Sequence, residues 1–390
     1  MPAEAASGTL EDTDIVVAGG GPVGCTLALA LQDAGRRVTL IERRARGTPP
    51  AAGFRPIALS HASRLILERV GVWPLLSPAP IETIRVTQAG APGRVVLDAA
   101  DAGVPALGYV LAYADLDAAL GTRVAQAGVD LRAGAEIVST HTDPAGASLQ
   151  VLQDGATRGC VARCVVHAEG SPAPEHASPP AHAALTARVT LRGAGPQTAY
   201  ERFSAQGPLA LLPLAGDHAL VWSTSPEAAQ DLAALSDADF LEALARAFGP
   251  GVGVPAQVGA RSVHPVVQQV RAARVEPRCV YIGNAAQTLH PVAGQGLNLG
   301  LRDAWDLAGL WRTLEDADPG AHEVLARFSA RRRLDASATI ALTNALVSGF
   351  AIDLPGAAWL RGAAMAVLDV LPPARRFFAR RMIFGSSAIP

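Results

Sequence analysis

The chain has 390 residues, 49% of them hydrophobic, which is long enough for two or three globular units. Its net charge of −2 argues against a nucleic-acid partner. The first dozen residues lack a basic-then-apolar pattern, and no run of about 18 apolar residues occurs, so we expect neither a signal peptide nor a membrane span. The 4 cysteines fit no zinc spacing. We therefore expect a cytoplasmic protein without a metal site, in which the cysteines are small buried side chains.

The first motif lies close to the N-terminus. The β-branched run Asp14–Ala18 predicts a buried strand. Pro22 then opens a helical pattern, and a second strand over Val38–Ile41 ends at Glu42. The turn between the first strand and the helix has the spacing Gly-x-Gly-x-x-Gly, with its glycines at Gly19, Gly21 and Gly24. This order of elements predicts a dinucleotide site, because a glycine-rich loop in an ordinary α/β domain needs neither the second strand nor the acidic residue.

Each residue of this motif has its own predicted role. Gly19 permits the tight turn, Gly21 admits a pyrophosphate, and Gly24 lets the helix pack closely on the strand. Glu42 follows at the distance where an acidic residue holds a ribose hydroxyl. The motif indicates a dinucleotide without indicating which one.

Short elements fill the middle of the chain. Phe54–Ser60 is predicted to be a loop, and Ser60 is predicted to cap a helix that ends at Gly71. Residues 81–97 alternate like an antiparallel hairpin, and Asp115–Val124 has a helical pattern. Further strands are predicted over the apolar runs at 129–132, 136–140, 148–153, 161–168, 184–191, 199–204, 209–214 and 218–224.

A second motif lies far downstream of the first. The proline-rich stretch Ser171–Pro180 predicts a linker, and a helix over 236–248 and a buried strand over Arg278–Gly283 lead to the motif. The motif itself, Gly283–Asp303, is a glycine-rich turn that runs into an apolar helical pattern. Its glycines at positions 294, 296 and 300 remove side chains where a ligand approaches, and the helix directs its first amides at negative charge.

The order of elements predicts an α/β fold in discontinuous pieces. We expect a Rossmann-like dinucleotide-binding domain made of residues 1–77, 102–175 and 270–335. We expect an antiparallel β-sheet substrate domain made of residues 78–101 and 176–269, inserted into the first domain. Residues 336–390 are predicted to be helical. Because ligands of such folds lie at the carboxyl ends of the parallel strands, the boundary between the two domains is the predicted active site.

The C-terminal segment has two interpretations. Four arginines alternate with apolar side chains over Arg375–Phe384, a composition that suits a membrane surface. The other interpretation is a helix packed on the domain with its arginines in water. If the membrane interpretation holds, deleting residues 372–390 shifts the protein from the membrane fraction to the soluble fraction.

These residues together resemble the flavin-dependent aromatic hydroxylases related to p-hydroxybenzoate hydroxylase, and within them the ring hydroxylases of ubiquinone biosynthesis. The resemblance covers nearly the whole chain. Besides the first glycine loop and Glu42, it is carried by Arg55–Ser60, Leu107–Tyr109, Glu201–Phe203, Gly207–Pro213, Val221–Trp222 and Gly283–Asp303. The family usually opens the last segment with Gly-Asp-Ala-Ala-His, whereas this chain has Asn284 and Gln287. That variant resembles the members that act on 2-polyprenyl-6-methoxyphenol.

The resemblance implies FAD as the cofactor. In the first glycine loop and the strand end it implies contacts from Gly19, Gly21, Pro22, Gly24, Glu42, Arg43 and Arg55. In the second motif it implies Asn284 beside the ribityl or pyrophosphate region, and Pro291, Gly294, Gly296, Leu297 and Asn298 along the isoalloxazine. Arg55 also has a plain interpretation as a solvated loop arginine. Before the linker, the family carries Asp-Gly followed by Ser and Arg. This chain instead has Glu169-Gly170 followed by prolines and no arginine. The departure concerns the contact with the nicotinamide more than the binding of FAD.

The resemblance also implies a reaction. NADPH or NADH reduces the flavin, and O₂ then reacts through a flavin hydroperoxide to hydroxylate a small aromatic, prenylated phenol of ubiquinone biosynthesis. Peripheral contact with the inner face of the cytoplasmic membrane, through the C-terminus, and contact with other ubiquinone-biosynthesis proteins follow as expectations. Two alternatives stay open. One is a hydroxylase of another aromatic or secondary metabolite, and the other is a non-catalytic flavoprotein subunit of a biosynthetic assembly.

A phenol has a pKa of about 10, so its activation calls for a base or a hydrogen-bond chain. His218, Tyr200 and His290 are the candidates by neighbourhood, each with an alternative structural role. His290 is retained as the catalytic candidate because it lies inside the second motif.

Overall fold

The computed structural model describes residues 12–49, 53–170, 181–352, 354 and 356–385. The predicted linker Ser171–Pro180 lies outside the described residues. The strands are β1 (Thr13–Ala18), β2 (Val38–Glu42), β3 (Pro56–Ser60), β4 (Ala79–Ile81), β5 (Thr83–Gln88), β6 (Arg94–Asp98), β7 (Gly108–Ala112), β8 (Asp130–Ala133), β9 (Ala135–Thr142), β10 (Ala147–Gln153), β11 (Ala156–His167), β12 (His182–Arg192), β13 (Thr198–Ser204), β14 (Gly207–Leu214), β15 (Asp217–Thr224), β16 (Val254–Val258), β17 (Ser262–Val266), β18 (Gln269–Val270), β19 (Val275–Glu276), β20 (Cys279–Tyr281) and β21 (Gln287–Thr288). The helices are α1 (Pro22–Ala30), α2 (His61–Arg69), α3 (Ala99–Ala102), α4 (Tyr113–Gln126), α5 (Pro226–Ala234), α6 (Asp237–Phe248), α7 (Gln295–Thr313), α8 (His322–Ala351), α9 (Ala357–Val370) and α10 (Pro372–Phe384).

The first sheet has a parallel centre. Its strands run in the order β19-β20-β11-β1-β2-β8, and the pairs from β20 to β8 are parallel. β1 is buried on both faces: Ile15 and Val17 pack with the helices, and Val16 packs against the β9–β10 hairpin. A strand covered on both sides has to be apolar without alternation, as the sequence of β1 is. This arrangement confirms the predicted α/β fold with a Rossmann-like centre.

The second sheet is mostly antiparallel and has the order β16-β12-β15-β14-β13-β5-β6, with β17 also paired to β12. One face of this sheet is covered by α6, where Leu185, Leu211 and Leu220 pack with Phe240 and Leu244. The opposite face is turned towards the first sheet's domain, since the hydroxyl of Thr186 in β12 donates to the carbonyl of Phe54 at 2.5 Å. The predicted insertion of an antiparallel sheet is confirmed.

The prediction of a loop over Phe54–Ser60 is wrong, because Pro56–Ser60 forms β3. This strand pairs antiparallel with β7 at the edge of a small sheet, β3-β7-β4. An edge strand tolerates a proline that lacks an amide donor, and Pro56 is the first residue of the strand. The cap is as predicted: the hydroxyl of Ser60 accepts a hydrogen bond of 3.2 Å from the amide of Ser63.

The C-terminal helices meet the rest of the molecule differently. α10 packs on the domain, with Ala379 and Ile383 buried, and its Arg375 binds Asp101 of α3 at 2.6 Å. α9 instead leaves Trp359 and Leu360 largely exposed, at 67% and 74%. Among the described residues, no helix combines the length and apolar character that crossing a membrane requires. All of the cysteines are buried, as predicted, and all are free thiols.

Candidate cofactor site

The three glycines of the first loop have different surroundings. Gly19 has φ of 101°, and a Cβ there would lie 2.6 Å from the backbone of Ala168. A Cβ at Gly24 would overlap the carbonyl oxygen of Gly19, so α1 can approach β1 only without that side chain. A Cβ at Gly21 would meet nothing within 4 Å, which leaves the backbone open at the start of α1. Pro22, the first residue of that helix, is buried.

Glu42 ends β2 beside this loop. One carboxylate oxygen accepts from the amide of Gly20 at 2.6 Å, and the other accepts from the amide of Arg44 at 2.8 Å. Each oxygen keeps a further lone pair, so the carboxylate is fixed in position and can still accept from a ribose hydroxyl. The Arg44 guanidinium binds Asp117 in bidentate geometry, at 3.0 and 2.8 Å. Sequence reasoning missed this arginine, because Asp117 belongs to a helix whose position cannot be read from spacing.

The two arginines that the resemblance implies as cofactor contacts, Arg43 and Arg55, are both exposed. Arg43 lies 3.7 Å from Glu136, with 81% of its side chain exposed. The guanidinium of Arg55 stacks over the ring of Tyr113, 4.9 Å from its centroid. Burial and then the charge of Asp117 raise the pKa of this tyrosine, while Arg55 and Arg44 oppose the shift. Arg55 thus shares the electrostatic neighbourhood of Arg44 and Glu42, whereas Arg43 lies beside the surface of β9.

The two glycine motifs are in contact although they are far apart in the chain. The side chain of Val23 in α1 packs against two glycines of the second motif. A Cβ at Gly300 of α7 would lie 2.8 Å from this side chain, and a Cβ at Gly283 would lie 3.1 Å from it. Only glycines at these positions let α1, α7 and the end of β20 pack together. The open backbone at the start of α1 and the second motif are therefore neighbours.

Asn298 fixes the start of α7. Its side-chain oxygen accepts from the amide of Ser60 at 2.8 Å and from the hydroxyl of Ser63 at 2.7 Å. Its nitrogen donates to the carbonyl of Ala58 at 2.9 Å and to that of Gly294 at 2.7 Å. Because all four hydrogen-bonding positions of the amide are used, Asn298 can offer a cofactor only its backbone. A Cβ at Gly296, in the first turn, would meet nothing within 4 Å.

Asp303 ties the second motif together. This fully buried carboxylate accepts from the amide of Gly283 at 3.2 Å, from Gln287 at 3.0 Å and from Arg332 at 2.7 Å. Gln287, which stands where the family usually has His, also binds Arg274. Burial alone would raise the pKa of Asp303, but Arg332 and Arg274 hold the pKa below its usual range. The amide of Gln287 therefore joins the contact that Arg274 also makes directly with the buried carboxylate, at 2.9 Å.

Asn284 and Pro291 lie at the turns of the same segment. The carbonyl of Asn284 accepts from the hydroxyl of Thr288 at 3.3 Å, and none of the described residues hydrogen-bonds its side-chain amide. Pro291 precedes the short 3-10 turn Val292–Gly294 that leads into α7. Leu297 packs against the hydrophobic core.

The three candidate bases lie on opposite sides of the second sheet: His218 and Tyr200 are on one side, and His290 contacts the other. His218 pairs with Val189, and Tyr200 belongs to the cluster under α6, so both are on the face away from the first domain. The hydroxyl of Tyr200 accepts from the amide of Gly195 at 2.9 Å, a structural role. The ring of His290 instead contacts His182 of β12, with the centroids 5.5 Å apart. Burial, and then His182, lowers the pKa of His290 to about 4, so the ring is neutral.

The altered segment before the linker is partly described. Glu169 is half-exposed, and its carboxylate lies 3.1 Å from Nδ1 of His167. Burial alone would lower the pKa of His167, but hydrogen bonds with Cys279 and Glu169 raise it to about 9. The prolines of the segment, at 172 and 174, lie outside the described residues.

The described residues fit a bulky dinucleotide. Two adjoining stretches of backbone, at Gly21 and Gly296, are free of any side chain that would block a ligand. Both open the first turn of a helix, whose amides have no partner within the helix and carry partial positive charge. The fixed carboxylate of Glu42 and the unpartnered amide of Asn284 add polar groups around them.

A family model described as an FAD binding domain matches residues 12–343 of the chain. The chain belongs to this FAD-binding family. Ubiquinone hydroxylase UbiL from Rhodospirillum rubrum is 33% identical to it, over 94% of this chain and 88% of that protein. The 3-demethoxyubiquinol 3-hydroxylase of Escherichia coli K12 is 29% identical, over 93% of this chain and 96% of that protein.

Among solved structures, p-nitrophenol 4-monooxygenase PnpA from Pseudomonas putida DLL-E4 has the same fold. The TM-score is 0.77 at 18% sequence identity, and the match covers 97% of this chain and 100% of the PnpA chain. At this identity the likeness concerns the fold alone. Family and relatives together make the chain an FAD-dependent monooxygenase, as the resemblance implied.

Proposed function

We propose that this flavoprotein hydroxylates the ring of a polyprenylated phenol in ubiquinone biosynthesis, using O₂ and NADPH or NADH. The observation that carries the proposal is the likeness, over nearly the whole chain, to two proteins named as hydroxylases of ubiquinone or its precursors. The site supports it, because the second glycine motif meets the second sheet where His290 contacts His182 of β12. A substrate ring held on that sheet lies next to the cofactor's position.

Different residues of the chain would bind the cofactor, stabilise its charge and exclude water. FAD, when bound, supplies electron transfer and the activation of oxygen. Gly21 and Gly296 admit it, Glu42 accepts from its ribose, and the amides at the start of α7 stabilise negative charge. The second sheet covers the site and keeps out water, which preserves the reactive cofactor for the substrate.

The test is an assay of the purified FAD-loaded protein in detergent. We expect 2-methoxy-6-farnesylphenol to stimulate NADPH or NADH oxidation and to gain one oxygen atom from ¹⁸O₂, as measured by mass spectrometry. The control is 2-methoxyphenol, which lacks the prenyl tail. Stimulation by soluble phenols alone would favour a hydroxylase of another aromatic. A protein that keeps its FAD yet oxidises neither nicotinamide with any phenol would be the non-catalytic subunit.

We also propose that the enzyme contacts a membrane surface through α9 rather than through the arginines of α10. Eight of the fifteen large apolar side chains that are exposed in the described part of the chain lie within residues 352–377, in α9 or next to it in the sequence. This α9 surface consists of Ile352, Leu354, Trp359, Leu360, Val367, Val370, Leu371 and Phe377. An exposed tryptophan on an apolar helix face suits the boundary between lipid and water. A prenylated substrate resides in that phase, which supports the contact.

The arginines of α10 are engaged with protein atoms instead. Arg375 binds Asp101, and Arg376 and Arg380 donate to carbonyls of the same short helix, α3, at 3.1 and 3.3 Å. These contacts support the packed interpretation of α10.

A further inference from the structure

Two histidines meet where the second glycine motif reaches the second sheet. His290 directly precedes Pro291, and His182 is the first residue of β12. Their ring centroids are 5.5 Å apart, and the ring planes are inclined at 79°. Leu289, the residue before His290, packs with Leu299 of α7 and Ala336 of α8, whereas the ring of His290 contacts His182.

The two rings have hydrogen-bonding capacity that the protein does not use. His290 is 1% exposed, and neither Nδ1 nor Nε2 has a partner. Nδ1 of His182 is also buried without a partner. Native proteins rarely leave such atoms unsatisfied, because each loses its hydrogen bonds to water. Three unused nitrogens in one place therefore indicate a ligand that brings its own donors and acceptors.

The chemistry of a methoxyphenol matches this requirement. A neutral imidazole has one donor and one acceptor nitrogen. A ring hydroxyl is a donor, and the methoxy oxygen on the neighbouring carbon is an acceptor. Resting on the proposed function, we propose that His290 accepts a hydrogen bond from the substrate's hydroxyl and that His182 donates one to its methoxy oxygen. The pair thereby recognises the two oxygen substituents on adjacent carbons of the ring.

His290 activates the ring without removing its proton. A phenol has a pKa of about 10, and the pKa of His290 is about 4, so complete transfer of the proton to the imidazole is strongly disfavoured. The proton remains on the phenol oxygen, and the hydrogen bond draws it towards the ring nitrogen. The oxygen then releases electron density into the ring, which is what an electrophilic hydroxylation needs.

The test measures binding without turnover, in the FAD-loaded protein with no nicotinamide present. The readout is the change in flavin fluorescence on titration with 2-methoxy-6-farnesylphenol, with 3-farnesylanisole, which lacks the hydroxyl, and with 2-farnesylphenol, which lacks the methoxy group. We expect the wild-type protein to prefer the first probe over each of the others by about tenfold, the value of one buried hydrogen bond. His290→Phe should lose only the preference for the hydroxyl, and His182→Phe only that for the methoxy group.

His218→Phe is the matched control, because His218 is also buried but lies on the opposite face of the sheet. It should keep both preferences. His290→Asn, whose side-chain amide oxygen can accept a hydrogen bond from the hydroxyl, should recover part of the hydroxyl preference and guards against a misfolded phenylalanine variant. The inference is overturned if His290→Phe keeps the wild-type preference or if His218→Phe loses it equally. A wild-type protein that holds FAD and binds none of the probes would overturn the proposed function, and this inference with it.

Discussion

Gly21 and Gly24 are three positions apart, yet a methyl group at each would have opposite effects. At Gly21 the methyl group would point into open space, with φ of −73°, a value that any residue adopts. At Gly24 it would collide with the carbonyl oxygen of Gly19. The fold therefore requires the second glycine, whereas only the proposed position of the cofactor accounts for the first.

We predict that Gly21→Ala leaves the apoprotein's thermal unfolding midpoint unchanged and weakens FAD binding at least about tenfold, or 1.4 kcal/mol. Gly24→Ala should lower the midpoint itself, because α1 must move away from β1. Calorimetry of the apoproteins and titration with FAD measure the two effects separately. Undiminished FAD affinity in Gly21→Ala would exclude the cofactor position proposed here.

At this scale the sequence predicts what depends on near neighbours. The roles of Gly19 and Gly24 follow from spacing, and the structure agrees with both. Two of the four hydrogen bonds of Asn298 are made with Ser60 and Ser63, which lie 238 and 235 positions away in the chain. A local sequence pattern cannot predict such distant partners. For the same reason Asp303 was recognised only as the end of a motif. Its role as the buried centre of the motif was not predicted.

The helices α7 and α8 are joined by ion pairs in the protein interior. Arg332 of α8 binds Asp303 at 2.7 Å and Asp335 at 2.8 Å, and Arg302 of α7 binds Asp335 at 2.9 Å. A buried pair contributes modestly to stability while intact, but removing one partner leaves an uncompensated charge. The position of the second glycine motif therefore depends on α8.

Asp303→Asn should lower the free energy of unfolding by about 3–5 kcal/mol and release FAD. The control is Asp306→Asn on the same helix. Asp306 also binds Arg332, at 2.8 Å, but its side chain is 21% exposed and it does not contact Gly283 or Gln287. Denaturant titration and the FAD content after gel filtration give the comparison. Equal loss of FAD in both variants would contradict the role assigned to Asp303.

Elements with a clear period were predicted well, and elements defined by their partners were not. The alternating strands of the second sheet and the helix over 236–248 lie close to their predicted positions. β3 was predicted as a loop because Pro56 is a poor strand residue, and only pairing with β7 makes it a strand. The helix α5 was not predicted, and Ala229 is the one buried residue in its short, alanine-rich sequence.

At the scale of the whole molecule, the α9 surface contains more exposed large apolar side chains than the rest of the described chain together. Trp359→Ser combined with Leu360→Ser should reduce co-sedimentation with vesicles of phosphatidylethanolamine and phosphatidylglycerol by about tenfold or more, since each apolar side chain contributes about 1.5 kcal/mol or more when buried. Val161→Ser with Val254→Ser, exposed at 48% and 66% elsewhere, is the control. Equal binding by both double variants would refute the membrane contact.

These substitutions are a sharper test than deletion of residues 372–390. The deletion also removes Ile383, which is buried, and Arg381, which lies 3.7 Å from the buried Asp335, so a change in fractionation would have two causes. The predicted domain boundaries stay a proposal, and the one at 335/336 falls inside α8. Limited proteolysis of the FAD-loaded protein would locate the boundaries that the chain uses.

The ion pairs of α7 have a consequence for the order of events during synthesis. Asp303 and Arg302 take partners that follow them by 29 and 33 residues. A chain leaves the ribosome from its N-terminus onwards, so both glycine motifs emerge before the residues that hold the second one in place. We therefore expect the chain to bind its cofactor only after α8 has been synthesised. A chain arrested before α8 would contain both glycine motifs and still have no finished place for FAD.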